Sequence, residues 1–328
     1  MMMKVLVTGS NGFIGSHLVE QLLGHGYHLK CLVRPTSDLK WIKHLPVQIV
    51  FGSITDFQSL LPAVTDVDYI YHLGGTLRSR DNNAYFAVNV EGTRNMLEAC
   101  RQRQVHLKRF VYISSQAAAG PSEDGKALTE DDPSRPVSLY GQSKLQAEEV
   151  VLSYRQYFPV TILRPPVVFG PRDDDLLNIF KTIKWGLMPV VGTDEKLFSL
   201  IYVHDLVRGI HLAGEHAQAE NEVFYLADAI AYSWLEIEAA IARTMAQKTI
   251  TIHLPEAGLD LIANLNERLC RLLKREPMLN RDKALEMKQR GWQVDSSKAK
   301  QKLGFVTKYS LEQGLAETYR WYRQHGWL

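Results

Sequence analysis

The strand-like run Lys4 to Thr8 passes directly into Gly9-Ser10-Asn11-Gly12-Phe13-Ile14-Gly15 and from there into a helical pattern. No other feature of the chain constrains its fold as strongly. A glycine-rich turn between a strand and a helix lets the backbone come close to a pyrophosphate, while the helix N-terminus offers unpaired amides and the positive end of its dipole. The spacing is GxxGxxG instead of GxGxxG. We therefore expect a dinucleotide loop in which Gly9, Asn11, Gly12, Phe13, Ile14 and Gly15 meet the cofactor.

The rhythm that begins there continues. Short β-branched or aromatic runs recur at His28 to Arg34, Val47 to Phe51, Tyr69 to Leu73, Phe110 to Ser114 and Val160 to Arg164, with helical patterns between them. Repeated βαβ of this kind predicts α/β architecture. Most of the runs are apolar on consecutive residues, as strands covered on both faces are, so the expectation is a Rossmann-type, doubly wound parallel sheet. Gly24 and Gly26 should stop the first helix and Thr55 should cap a later one. After Arg164 the pattern breaks at Pro165-Pro166, and a smaller, mixed C-terminal substrate lobe is expected. The division expected is 1-164 for dinucleotide binding, with a returning segment at about 199-228 that includes the strand-like Ser199 to Val203. Residues 165-198 and 229-328 then form mainly the substrate lobe.

The second strand ends at Arg34, where an NAD-preferring site usually carries an acidic residue on the ribose 2′-hydroxyl. A guanidinium suits a 2′-phosphate instead, so NADP(H) is favoured and NAD(H) stays open. Tyr140 and Lys144 stand four apart in a helical pattern and project from one face. A phenol with a reference pKa of about 10 needs a neighbouring cation to exchange protons near neutrality. Lys144 is placed to provide it. Ser114-Ser115 ends the fifth strand at the carboxyl edge of the sheet, where ligands bind in open α/β folds and a hydroxyl can hold a substrate oxygen.

Together these segments identify a resemblance that covers nearly the whole chain. They are Thr8-Gly9-x-x-Gly12-Phe13-Ile14-Gly15, Val88-Asn89-Val90-Glu91-Gly92-Thr93, Val111-Tyr112-Ile113-Ser114-Ser115, Tyr140-x-x-x-Lys144 and Leu163-Arg164-Pro165-Pro166-Val167-Val168-Phe169-Gly170-Pro171. The chain resembles the extended short-chain dehydrogenase/reductases, the superfamily that includes NAD-dependent epimerase/dehydratases. That resemblance implies that Tyr140 is the acid/base, that Lys144 lowers its pKa and holds the nicotinamide ribose, and that Ser115 polarises the reacting oxygen. It places Leu73, Gly74 and Gly75 in the loop beside the cofactor, has Asn89 order that region, and puts Pro165 and Val167 by the nicotinamide. Ser53 and Ile54 fall at the adenine position, with Ser53 where relatives commonly carry Asp.

The same resemblance bears on the branch. Dehydratases carry an Asp-Glu pair after the catalytic hydroxyl; here the stretch reads Ser115-Gln116-Ala117-Ala118-Ala119, which disfavours dehydration. Phe198 stands where sugar-nucleotide epimerases have a diphosphate-binding Arg. His204 and Asp205 are structural in the family pattern. The tail from Leu279-Asn280-Arg281-Asp282-Lys283 through Gly291-Trp292 to Leu303-Gly304-Phe305 resembles 3β-hydroxysteroid dehydrogenase-like and dihydroflavonol reductase-like proteins. The expected activity is thus hydride transfer between a nicotinamide cofactor and a ketone or secondary alcohol of a moderately apolar molecule. Substrate-facing residues are then Ser115, Gln116, Tyr140 and Phe198. A nucleotide-sugar 4-epimerase with tightly held NAD, and a catalytically silent cofactor sensor or scaffold, are the alternatives.

Composition narrows the partners. The chain has 38 Lys+Arg against 36 Asp+Glu, a balance that invites no nucleic acid. No metal site is expected, since Cys31, Cys100 and Cys270 lie far apart without ligand spacing, and buried thiols in a cytoplasmic protein are the reading. No apolar run reaches the roughly 18 residues of a membrane span. The stretch near 259-273 repeats apolar residues at Leu261, Ile262, Leu265, Leu269, Leu272 and Leu273, a helical spacing read as a helix over a cleft, with membrane contact left open. The resemblance also implies a homodimer built on helices near Ala84 to Arg103 and Tyr140 to Tyr157.

Overall fold

The computed structural model describes residues 3–79, 81–103, 106–123, 125–191, 196–254 and 280–328, together with 258–259, 263–264, 266–268 and 270. Its centre is a seven-stranded sheet built from β1 (Lys4–Thr8), β2 (His28–Val33), β3 (Gln48–Phe51), β4 (Tyr69–His72), β5 (Arg109–Ile113), β6 (Val160–Arg164) and β10 (Glu222–Tyr225). The spatial order is β10-β6-β5-β4-β1-β2-β3 and every pairing is parallel. Chain direction across the sheet reverses between β1 and β4, which opens a crevice at their carboxyl ends.

Consecutive apolar residues do what a doubly covered strand requires. Val5 and Val7 of β1 enter the core on one face with Val111 and Ile113 of β5. Leu6, Phe110 and Tyr112 enter the core on the other. Only the edge strand β3 lacks a buried residue. Helices α1 (Phe13–Gly24), α2 (Phe57–Ala63), α3 (Asn82–Tyr85), α4 (Gly92–Gln102), α5 (Gln116–Ala119) and α6 (Leu139–Ser153) link these strands, with a π-helical turn at Phe86–Glu91 between α3 and α4.

The first helix stops as its glycines predict. Tyr27 N–H bonds Leu22 O and Gly26 N–H bonds Leu23 O, with Gly26 at φ 79°, a Schellman termination that needs a left-handed residue. Thr55 is a correction: the residue capping α2 is Asp56, without a side-chain bond to the helix, and the Thr55 hydroxyl is engaged by Ser53 instead.

The smaller lobe holds two further sheets. β7 (Val167–Phe169), β9 (Leu197–Tyr202) and β11 (Ala231–Ser233) form one, mixed in direction, and β8 (Leu187–Val191) pairs with β12 (Ile250–Leu254) in the other. Around them lie α7 (Asp175–Lys184), α9 (Trp234–Thr244) and the helices Arg281–Met287 and Leu311–Gln324, while α8 (Val203–Glu215) packs mainly on α1 and the central sheet and the helix Ser297–Leu303 packs beside β10. The six apolar residues of the 259-273 pattern lie outside the described residues. Cys31 and Cys100 are buried free thiols, and burial pushes the Cys31 thiol up to about 12; Cys270 is partly exposed.

Candidate active site

The crevice is lined from β1 and β4. Gly9 has φ 67°, and a Cβ there would stand 2.9 Å from the Leu73 carbonyl carbon, so the two strand ends meet backbone to backbone. A Cβ on Gly15 would stand 2.0 Å from Gly9 O, which explains the third glycine of the loop. α1 begins at Gly12 with no side-chain cap and no acidic residue in its first turn. Its first amides and dipole are therefore free for an anion, and the cradle fits a cofactor pyrophosphate. Phe13 and Ile14 are partly buried in that first turn, and Asn11 Nδ2 donates to Asp38 O at 3.3 Å, tying the loop to the segment after β2.

Arg34 follows β2 directly and is exposed. Its guanidinium makes no bond to a described residue; only its backbone is engaged, by Ser37. Ser53 and Ile54 follow β3. Ser59 Oγ accepts from Ser53 N at 3.0 Å, and Ile54 covers Gly92, where a Cβ would stand 2.9 Å from its Cδ1.

A hydrogen-bonded chain runs from the strand end to the helix that carries Tyr140. Gly74 N donates to Thr8 Oγ1 at 2.8 Å, leaving the Thr8 proton for His72 Nδ1 at 2.7 Å. Thr93 Oγ1 donates to Asn89 O at 2.6 Å, so His72 Nε2 must be the donor to Thr93 at 3.1 Å. Burial holds the His72 pKa down at about 3, and the ring is neutral. Asn89, on the π-helical turn, then binds both backbone groups of Thr76 and donates to Ser143 Oγ at 2.9 Å. Ser143 Oγ donates to Tyr140 O at 2.7 Å. Gly75 lies against Asn89, where a Cβ would meet its Oδ1 at 2.9 Å.

Tyr140 and Lys144 occupy the first two turns of α6, and the Ser115 side chain lies close enough to the Tyr140 phenol to lower its pKa. Ser115 caps α5, accepting from Ala117 N at 3.1 Å. Burial foremost, then the carboxylate of Glu286 and the phenol of Tyr85, push the Tyr140 pKa up, while the Ser115 side chain lowers it. Lys144 does not offset this directly: its ammonium donates to Ile113 O at 2.6 Å and lies 4.3 Å from the centre of the Tyr112 ring. Burial brings the Lys144 pKa down to about 7, with Glu148 opposing one turn away. Glu148 is itself held by Arg164 in a buried pair at 2.6 Å.

Gln116 is buried beside Ser115, and its Nε2 has no hydrogen-bond partner among the described residues. Pro165 accepts from Gln116 N at 2.9 Å, joining the end of β6 to the same corner, and Val167 is exposed two residues on. Phe198 is not brought to this group by any contact among the described residues. It packs edge-on against Trp234 at 5.6 Å in the smaller lobe. Asp205 anchors the C-terminal segment by accepting from Lys308 N and Tyr309 N, and His204 lies in a ring cluster with His17 and Tyr202.

Sequence reasoning passed over Asp282. Its carboxylate, from the helix Arg281–Met287, accepts from Leu139 N at 2.6 Å and Tyr140 N at 3.1 Å, and Ser138 Oγ donates to Glu286 Oε1 at 2.7 Å. Asn280 before a helical run signals a helix start, yet no local pattern reveals that the helix caps another one 140 residues earlier.

Residues 5–227 match the model of a family described as NAD dependent epimerase/dehydratase. The chain is 28% identical over 331 residues to a ceramide reductase of Caulobacter vibrioides, covering 99% of this chain and 96% of that one. It is likewise 28% identical over 324 residues to N-acetyl-alpha-D-glucosaminyl-diphospho-ditrans,octacis-undecaprenol 4-epimerase of Escherichia coli O157:H7, covering 96% and 94%. A solved UDP-glucuronic acid 4-epimerase of Bacillus cereus in complex with NAD superposes with TM-score 0.78 at 26% identity, covering 98% of this chain and 99% of that one.

Proposed function

The chain belongs to the NAD dependent epimerase/dehydratase family, and on that basis we propose that it transfers hydride between a nicotinamide cofactor and the ketone or secondary alcohol of a moderately apolar small molecule. The observation that carries this is the Ser115–Tyr140 pair, a hydroxyl at the carboxyl end of β5 close enough to a phenol on α6 to lower its pKa, with Lys144 one turn on in the same helix. Two such groups can bind one substrate oxygen together.

When bound, the nicotinamide supplies or accepts the hydride. Gly9, Gly12 and Gly15 with the open end of α1 hold its pyrophosphate, Arg34 takes the 2′-phosphate of NADP(H), and Asn89 keeps the loop at Gly75 and Thr76 in place. Ser115 donates to the carbonyl oxygen and orients it. Tyr140, kept protonated by its burial, delivers a proton to that oxygen as charge develops there. Lys144, one turn on from Tyr140 with its ammonium on Ile113 O, would hold the nicotinamide ribose. Alcohol oxidation runs the same steps backward. The absence of a carboxylate in Ser115 to Ala119 argues against water elimination.

An apolar substrate is supported by similarity to a reductase of ceramide. Similarity at equal identity to an epimerase of a diphosphate-linked sugar keeps the epimerase as the second reading. The deciding experiment identifies any nucleotide that co-purifies, then titrates NADPH and NADH by fluorescence and assays long-chain ketones. An exchangeable site that prefers NADPH, with ketone-dependent oxidation, is expected. Retained NAD(H) with turnover of a nucleotide sugar would overturn the reductase reading.

A further inference from the structure

The far end of α7 presents an apolar edge that no described residue is seen to cover. Trp185 is 76% exposed and Ile250 72%, with Leu187 and Ile252 beside them at 37% and 40%. The register of β8 and β12 sets Leu187 against Ile250 and Pro189 against Ile252, so alternate residues share one face while Met188 and Val190 point inward. The Trp185 position is held by its surroundings. Gly186 N bonds Ile183 O and Ile250 N bonds Gly186 O, both at 2.8 Å, which pins the helix end to the start of β12.

Cations surround this edge. Lys181 and Lys184 occupy the last turn of α7 and Lys248 precedes β12, all three exposed and none ion-paired with a described residue. Lys184, the residue before Trp185, also lines a cavity of about 390 Å³ with Met245, Gln247, Tyr319, Arg323 and Leu328. Arg323 reaches it from the helix Leu311–Gln324 and donates one N–H to Tyr319 Oη at 3.2 Å, its only hydrogen bond among the described residues. An exposed Trp among aliphatic side chains, bordered by unpaired lysines and a pocket with two cations from different helices, matches the two requirements of interfacial binding.

We propose that this face docks on an anionic phospholipid bilayer, with Trp185, Leu187, Ile250 and Ile252 entering the interface and Lys184 with Arg323 receiving a lipid phosphate. Attachment is peripheral: among the described residues no helix is long and apolar enough to cross a membrane. At its other end α7 begins with Asp175, which is ion-paired to Arg78 in the segment after β4. The docking face thus lies about 15 Å from that ion pair along one ten-residue helix. The inference does not depend on which reaction the site performs.

The test is flotation of the full chain with vesicles of pure phosphatidylcholine and of an equimolar phosphatidylcholine and phosphatidylglycerol mixture. Binding to the anionic vesicles alone, weakened by salt, is expected. Lys181→Gln with Lys184→Gln should lower the partition coefficient about thirtyfold, and Trp185→Ser about tenfold. All three side chains are exposed, and an unchanged Tm certifies the folding of each variant. No binding by the parent chain, or equal binding to both vesicles, overturns the proposal. So does a concentration-dependent dimer that Trp185→Ser dissociates, which would give this face to a second copy, or protection by inorganic phosphate without vesicle binding.

Discussion

The carboxylate of Asp282 accepts the backbone N–H of Tyr140 at 3.1 Å, so a residue from near the end of the chain holds the first turn of the helix that presents the phenol. The same carboxylate takes Leu139 N at 2.6 Å, and Ser138 caps Gly141 at 3.0 Å, which satisfies the first three amides of α6. Asp282→Ala should lower kcat by roughly tenfold, the cost of about one charge-assisted cap, while the NADPH dissociation constant changes little. A parallel Ser310→Ala variant, which loses a cap on a helix remote from the site, should lower Tm without lowering kcat. Equal kinetic losses in both would reduce Asp282 to a purely structural role.

Replacing Tyr140 by Phe removes a proton and leaves the packing volume nearly intact. Turnover should fall by about 10²- to 10⁴-fold, with cofactor titration unaltered. Single-turnover absorbance of NADPH is the measurement, and retained hydride transfer would displace Tyr140 from its proposed role.

Arg34 is exposed at the end of β2 with its guanidinium uncommitted. Arg34→Glu should weaken NADPH binding by about ten- to a hundredfold, the range for one lost charge-assisted phosphate contact. NADH binding should stay level or improve. A variant that binds both cofactors as the parent does would remove Arg34 from the site.

Glu238 is buried in α9 with Oε1 on Trp234 Nε1 at 3.1 Å and Oε2 unpartnered. Burial raises its pKa from 4.5 to about 7. The folded state then holds a proton that the unfolded state releases, so this stabilisation is full below pH 4.5 and lost as pH rises through 7. Glu238→Gln keeps the Trp234 acceptor and removes the titration. It should leave Tm at pH 4 nearly unchanged and raise it by several degrees at pH 8, by up to about 3 kcal/mol. Thermal melts across that range check it, and a parallel displacement at both pH values would refute the titration argument.

Local chemistry determined much of this protein before any coordinate was known. Strands covered on both faces must be apolar on consecutive residues, and Val5-Leu6-Val7 or Phe110-Val111-Tyr112 say so directly. A strand, a glycine turn and a helix are adjacent in sequence, so the phosphate cradle is legible from residues 4 to 24. The four-residue spacing of Tyr140 and Lys144 places them on one helix face. The tertiary structure alone decided what joins those parts. His72, Thr93, Asn89 and Ser143 form one hydrogen-bonded chain because β4, the π-helical turn and α6 converge in space. Asp282 reaches Tyr140 across 142 residues, and Lys144 donates a hydrogen bond to Ile113 O rather than to the phenol. Propensity and periodicity act over a few residues, whereas a hydrogen bond depends on where two distant segments come to rest. That placement is set by packing of the whole core, which no local pattern encodes.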